Sequence, residues 1–144
     1  MSKKLRDWLL SVGLKRTKPR LLVLDILHKN EHFMSADDIF VKAKKVDKSI
    51  SLSTVYRILE SFVEKEIVSP VTLEYSKHLL YELKHETHAH HLICLSCKKV
   101  IHVHNCPLES FEKQMGDQYD FKVKNHKLEF YGLCSACQAK ENAS

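Results

Sequence analysis

The fold of the first half of the chain is decided by residues 51–62, which read Ser-Leu-Ser-Thr-Val-Tyr-Arg-Ile-Leu-Glu-Ser-Phe. The apolar residues repeat at the spacing of one helix face, at Val55, Ile58, Leu59 and Phe62. Ser51 or Ser53 can supply the N-cap of this helix. The pattern leaves three side chains on the outward side near the helix start: Thr54, Tyr56 and Arg57. In a helix-turn-helix such positions on the second helix contact base edges in the major groove, although an ordinary amphipathic helix would also show this pattern.

Three further helical patterns precede this segment. The first has an apolar stripe from Leu5 to Val12, and the second begins near residues 17–19, with Pro in its first turn, and continues to Leu27. The third begins at Ser35, which is spaced to form a capping box with Asp38. Two short β-rich runs follow the fourth helix, at 67–73 and 79–83, with a turn at 74–77. Helices followed by a two-stranded ribbon predict a winged helix.

The charge of the chain is unevenly distributed. The 144 residues carry a formal net charge of +5, and residues 1–84 hold 16 Lys and Arg against 11 Asp and Glu, whereas residues 85–144 hold 7 against 7. The first 20 residues alone contain seven basic side chains and one acidic one. Such a segment suits a phosphate backbone, and a solvated surface would look similar. Together with the winged-helix pattern, it favours DNA binding.

Length and composition exclude several classes of protein. A chain of 144 residues forms one domain or two small ones rather than a large multidomain enzyme. It has no apolar run of the ~18 to 20 residues that a membrane span needs, and its start does not resemble a signal peptide. We therefore expect a cytoplasmic protein without a membrane partner. In that reducing compartment paired Cys residues more often hold metal than form disulfides.

The second half contains all five Cys residues, four of them in two CxxC pairs. The pairs are Cys94/Cys97 and Cys134/Cys137, and 36 residues separate them. Two such pairs complete the tetrahedral four-sulfur shell of a structural zinc site. A redox CxxC motif and an iron–sulfur cluster are the alternatives. The remaining Cys106 is predicted to be a buried or free thiol, with metal ligation or oxidation sensing left open.

Histidines form a second constellation in the same half. In a strand His88 and His90 would share one face and His91 the other, while His102 and His104 would share a face of a second strand. A short helix that carries Glu109 follows, and His126 lies in a polar break farther on. Imidazoles with a carboxylate suit zinc, ferrous iron, manganese or nickel, so these ligands alone do not select the ion.

In their order, these motifs resemble the ferric uptake regulator family of bacterial metal-dependent repressors. The resemblance is carried by Ser53-Thr-Val-Tyr-Arg57, by His-x-His-His-Leu-Ile-Cys-x2-Cys up to Cys97, and by His126-x4-Tyr-Gly-x-Cys-x2-Cys137, so it extends over nearly the whole chain. It implies an α+β fold, with an N-terminal winged helix-turn-helix domain at 1–84 and a small C-terminal α/β dimerisation domain at 85–144. It also implies a homodimer that binds an inverted repeat in A·T-rich double-stranded DNA.

The resemblance also assigns site residues. The four CxxC cysteines match the family's structural zinc ligands: Cys94, Cys97, Cys134 and Cys137. A second site in the dimerisation domain matches completely: His88, His90, Glu109 and His126. DNA contacts correspond to Lys15, Arg20, Tyr56 and Arg57, beside the Thr54 identified from the helix pattern.

The interdomain site, which the family uses for regulation, departs from the usual pattern. Glu82 and His91 match it, but Phe33 and Ala89 stand where the family has His, and His102 stands in place of an acidic residue. With His32 substituting for its neighbour Phe33, the candidate set is complete: His32, Glu82, His91 and His102. The extra imidazole and the missing carboxylate bias such a site toward a softer ion such as zinc.

The expected function is that of a metal-dependent repressor of metal-ion homeostasis, iron-responsive, and not an enzyme. The expected ions are structural Zn²⁺ and regulatory Fe²⁺ or Zn²⁺, with Mn²⁺ possible. Two alternatives stay open: a zinc-responsive regulator of the same family, and a constitutive DNA-binding protein whose zinc is purely structural. A zinc hydrolase is disfavoured, because the chain has no HExxH spacing and no second catalytic constellation.

Overall fold

The computed structural model of the chain describes residues 3–30, 32–84 and 90–143. It divides into two compact units, Met1–Lys84 and His85–Ser144, called here the N-terminal and the C-terminal unit. The predicted His88 and the neighbouring Ala89 lie outside the described residues.

Within its described residues the N-terminal unit contains four helices, which begin where the sequence predicts. They are α1 (Lys3–Ser11), α2 (Lys18–Lys29), α3 (Ala36–Val46) and α4 (Leu52–Glu64). Thr17 caps α2, and Ser35 forms the predicted capping box with Asp38 at the start of α3. The hydroxyl of Ser51 accepts from the backbone N–H of Thr54 at 3.2 Å and caps α4. These bonds satisfy N–H groups that the first helical turn leaves without a partner.

A three-stranded sheet completes this unit. It consists of β1 (Met34–Ser35), β2 (Val68–Val71) and β3 (Leu80–Leu83), in the order β1-β3-β2, with antiparallel pairing. The predicted ribbon is therefore present, although each strand is shorter than the β-rich run that predicted it. Pro70 lies in β2, which is an edge strand and needs no second set of backbone donors.

The core of the N-terminal unit is apolar and continuous. Each helix contributes fully buried side chains, among them Leu9, Leu24, Ile39, Leu59 and Phe62. The four predicted core positions of α4 are all buried, so its opposite face is left at the surface.

The C-terminal unit combines a second sheet with two helices. Its elements are β4 (His90–Cys94), β5 (Val100–Val103), α5 (Glu109–Tyr119), β6 (Glu129–Gly132) and α6 (Ser135–Ala143). The strand order is β5-β4-β6, in which β4 pairs antiparallel with β5 and parallel with β6. Burial is sparse, since α5 buries no residue and α6 buries only Cys137.

The helices of both units are short. Within the described ranges the longest is α4, with 13 residues, whereas crossing a bilayer takes ~20 apolar residues. None of the described helices combines the length and the apolar character needed for a transmembrane span.

Candidate metal centres and nucleic-acid interface

Parallel pairing of β4 and β6 brings the two CxxC pairs to one end of the sheet. Cys94 is the last residue of β4 and lies opposite Gly132, the last residue of β6. The chain after β4 turns at Lys98, whose φ of 66° is left-handed, and the chain after β6 enters α6. Because parallel strands end at the same edge, the two CxxC pairs lie next to each other at this edge of the sheet.

The sulfur atoms of the two pairs lie in a close group, the four-cysteine cluster of Cys94, Cys97, Cys134 and Cys137. All of these atoms lie within 4.8 Å of one another, and the Sγ atoms of Cys97 and Cys134 are 3.7 Å apart. None of the five cysteines, all of which lie within the described residues, forms a disulfide. With Zn–S bonds of ~2.3 Å, a tetrahedral site has S–S edges of ~3.8 Å. The spacing and the donor chemistry therefore both fit a closed zinc site.

The thiols of the four-cysteine cluster differ in proton affinity. Backbone N–H groups of Cys134 and then Cys97 point at the Cys94 sulfur and lower its pKa to about 5. A backbone N–H from Cys137 likewise lowers the pKa of Cys134. The pKa of Cys137 is raised to about 11, because a bond from Ser96 that lowers it is outweighed by the neighbouring sulfurs and by burial. At neutral pH Cys94 is thus already the thiolate that a metal requires.

A second group of donors lies beside β4, the His–Cys cluster of His90, Cys106 and His126. The Cys106 sulfur is 3.1 Å from Nε2 of His90 and 3.3 Å from Nε2 of His126, and the two nitrogens are 3.1 Å apart. The two imidazole rings are stacked, with centroids 4.8 Å apart. His90 is buried and the other two side chains are half-buried.

Besides Glu109, which stays a prediction, α5 brings a second carboxylate to this cluster. Nδ1 of His126 contacts Oε1 of Glu112, whereas the predicted Glu109 lies one turn earlier in α5 and is not among the grouped ligand atoms. Cys106, whose role the sequence left open, lies between the two imidazoles. Residues 109 and 112 are three apart and share a helix face, so the spacing alone could have drawn attention to Glu112.

The residues of the predicted interdomain site belong to two separate units, and each part is described by itself. In the C-terminal unit His91 and His102 lie directly opposite each other on β4 and β5, with ring centroids 5.0 Å apart. They face away from His90, because neighbouring residues of a strand point to opposite sides. In the N-terminal unit Glu82 is half-buried on β3, and His32 lies in the segment before β1.

The predicted DNA-contacting residues lie near the starts of two helices. On α4 Tyr56 is 42% exposed, Arg57 is exposed and Thr54 is partly exposed. Before α2 Lys15 is exposed, and its carbonyl accepts a bond from the Arg20 guanidinium at 3.2 Å. Arg20 therefore orients the basic segment that precedes α2, while α4 presents the groups suited to base edges.

Comparison with known proteins identifies the relatives of this chain. Residues 11–131 match the model of the ferric uptake regulator family. The ferric uptake regulation protein of Yersinia pestis is 37% identical over 135 residues, which are 93% of this chain and 90% of that protein.

Solved structures of the same kind share the fold. The Helicobacter pylori ferric uptake regulator, described as having three functional metal-binding sites, is 29% identical with a TM-score of 0.72, covering 94% of this chain and 90% of the other. The Vibrio cholerae regulator is 33% identical with a TM-score of 0.71, covering 90% of this chain and 98% of the other. These matches confirm the predicted resemblance and the α+β fold with its winged helix. The chain belongs to the ferric uptake regulator family of metal-responsive transcriptional regulators.

Proposed function

We propose that the protein is an iron-responsive repressor that binds an A·T-rich inverted repeat as a homodimer in the cytoplasm. The observation that carries the metal dependence in this proposal is the pair formed by His91 and His102 on adjacent strands, while the choice of iron follows the ferric uptake relatives. Two imidazoles face each other there on the sheet side opposite to the His–Cys cluster, so they can serve a separate, regulatory ion. The family's members regulate transcription in response to metal, and the regulatory ion here would be Fe²⁺, with Mn²⁺ able to take its place.

We assign the four-cysteine cluster to structural zinc and the cluster around His90 and His126 to the dimerisation-domain site, in which His88 is a further candidate ligand. The Helicobacter pylori relative is described as having three metal sites. Three groups of ligands in this chain correspond to that number. Zinc bound in the four-cysteine cluster would cross-link the end of the sheet to α6. The four thiolates would determine how tightly the zinc is held.

For regulation we propose that His91 and His102 share one ion with Glu82 and His32. Ligands from both units on one ion would hold the winged helix at the position that suits consecutive half-sites. A ligand shifts such an equilibrium only by its preference for one state, and a coupling of ~1 to 3 kcal/mol changes operator affinity by ~5 to 150-fold. Thr54, Tyr56 and Arg57 would contact the bases.

The homodimer is supported by an exposed apolar face of the C-terminal sheet. Leu92 lies between Ile101 and Phe130 on adjacent strands, and these side chains are 38%, 43% and 54% exposed, respectively. Three neighbouring large apolar groups are a typical interaction surface. A second copy of the chain covers this face in the proposed dimer.

One specific feature favours a second candidate, a zinc-responsive regulator. Phe33 cannot ligate a metal, and the pair His91/His102 supplies two nitrogens where an iron site would have more carboxylate. The test must therefore compare ions. Operator affinity is measured by fluorescence anisotropy at buffered free Fe²⁺, Mn²⁺ and Zn²⁺, using an A·T-rich inverted repeat.

The decisive variant is His91→Ala. We expect it to lose the metal dependence of operator binding, whereas His78→Ala, which removes an exposed imidazole of the N-terminal unit, keeps it. Arg57→Ala should bind weakly at every metal concentration. Activation by trace zinc alone would favour the zinc-responsive alternative, and unchanged metal dependence in His91→Ala would contradict the regulatory site.

A further inference from the structure

We propose that Cys106 is a metal ligand, so that the dimerisation-domain site is built from two imidazoles and one thiolate and prefers zinc to manganese and ferrous iron. The inference rests on the proposed metal site of the C-terminal unit and is independent of DNA binding. It replaces the Glu109 carboxylate of the family pattern with a thiolate from the segment between β5 and α5.

The positions of the three donor atoms support a shared ion. In a tetrahedral zinc site with Zn–N bonds of ~2.0 to 2.1 Å and a Zn–S bond of ~2.3 Å, donor atoms lie ~3.3 to 3.6 Å apart. The three atoms here form a triangle with sides of 3.1, 3.1 and 3.3 Å. Widening this triangle by a few tenths of an ångström brings the three donor atoms to the spacing of zinc ligands.

The contact of Glu112 with His126 determines which nitrogen faces the cluster as an acceptor. The carboxylate lies against Nδ1, so Nδ1 carries the proton of the neutral ring and Nε2 presents its lone pair. This lone pair points toward Cys106 and His90. A carboxylate that accepts from the far nitrogen is the usual support of a metal-bound His, since it fixes the tautomer and raises the basicity of the ligand.

The kind of ion follows from the sulfur. Thiolate ligands favour zinc and similar ions, whereas manganese and magnesium prefer carboxylate and water oxygens. Burial of His90 and partial burial of the other two ligands limit access of water to the site. Replacing Cys106 by an oxygen ligand should therefore weaken zinc much more than manganese.

Cobalt(II) is the probe that tests this ligand directly. Full-length protein with zinc in the four-cysteine cluster is titrated with Co²⁺, and sulfur-to-cobalt charge transfer is recorded in the near ultraviolet. We expect the wild type to develop this band while its one tightly held zinc per chain stays bound. Cys106→Ser should take up cobalt without the band, and the matched control His104→Ala, an exposed imidazole outside the cluster, should keep it.

Zinc competition gives the second measurement. Displacement of cobalt should show weaker zinc binding in Cys106→Ser and in His126→Ala, with a loss beyond the ~10 to 100-fold that removal of a supporting partner costs. Glu112→Gln should lose ~10 to 100-fold. An unchanged charge-transfer band in Cys106→Ser, or cobalt uptake by the wild type without any band, would overturn the proposal. Neither readout involves DNA, so a failure of operator binding is detected separately.

Discussion

The two units achieve compactness by different means. The N-terminal unit buries a continuous set of large aliphatic and aromatic side chains from all four of its helices. In the C-terminal unit the buried residues within the described range are few: His90, Ile93, Cys94, Val100 and Cys137. Three of these five belong to the four-cysteine and His–Cys clusters.

This difference indicates which interactions stabilise each unit. A small apolar core contributes little in a segment of about 60 residues, and such domains usually need a metal, disulfides or oligomerisation. The C-terminal unit has thiols in place of disulfides and an exposed apolar sheet face. We therefore expect it to depend on metal and on a second copy, whereas the N-terminal unit depends on its own core.

The largest effect is expected from removing the metal of the four-cysteine cluster. Structural zinc contributes ~10 to 16 kcal/mol in small zinc-binding folds, so Cys137→Ser or a strong chelator should unfold the C-terminal unit. Hydrogen exchange should show lost protection in β4 to β6 and retained protection in α2 to α4. His104→Ala, at an exposed imidazole outside both clusters, is the control, and equal loss of protection in both units would contradict the comparison.

A large-to-small substitution in the apolar core should destabilise the N-terminal unit and leave the C-terminal unit unaffected. Phe62→Ala removes a fully buried ring and should cost ~3 to 5 kcal/mol, a large share of the ~5 to 15 kcal/mol that stabilises a typical domain. Thermal unfolding should shift for the N-terminal unit, while the zinc content stays unchanged. Val63→Ala, at a partly exposed neighbour, should cost less. Zinc loss in Phe62→Ala would mean that the two units are not independent.

A charge on the exposed sheet face should test the dependence on a second copy. Phe130→Glu places a carboxylate where the proposed dimer has no partner for it, which costs at least ~1 to 3 kcal/mol and weakens dimerisation by ~5 to 150-fold. Sedimentation equilibrium gives the dissociation constant. Val46→Glu alters an exposed apolar residue of the N-terminal unit and should leave the dimer dissociation constant unchanged. A Phe130→Glu protein that dimerises as tightly as the wild type would exclude this face.

The smallest effect concerns protons released on zinc binding. Cys94, with its pKa of about 5, is already a thiolate at pH 7 before zinc binds. Cys137, with its pKa of about 11, must lose a proton when zinc binds. Zinc binding by metal-free protein should therefore release fewer than four protons at pH 7. The number should rise, and the affinity fall, as the pH drops through about 5, because the proton on Cys94 must then also be displaced. Calorimetry in buffers of different ionisation enthalpy measures the number, and release of four protons at pH 7 would contradict the ordering.

The parts that the sequence predicted well depend on local signals. The capping box of Ser35 and Asp38 and the N-cap Ser51 mark helix starts through bonds within four residues. The buried face of α4 follows from its 3.6-residue period. The spacing of the CxxC pairs predicts that the two pairs lie close together, because two thiols on each short turn are natural ligands for one ion.

The parts that were missed depend on tertiary pairing. The strand Met34–Ser35 has two residues and exists through its pairing with β3, which leaves no periodic signal. Helix α6 buries only Cys137 and so has no apolar stripe. The i, i+3 spacing places Glu112 on the same face of α5 as Glu109, but which of the two contacts His126 depends on how α5 lies against the segment at 126.

The parallel pairing of β4 and β6 has a consequence for the order of folding. β5 and α5 lie between these strands in the chain. Cys94 and Cys97 therefore come close to Cys134 and Cys137 only after β6 has paired with β4. Closing a loop of this length costs entropy that local contacts do not repay, which slows formation of the unit. On a ribosome the N-terminal unit can complete its local contacts first. We expect the zinc site to form after the N-terminal unit, once β6 has paired with β4, so metal supply at that stage determines whether the C-terminal unit folds.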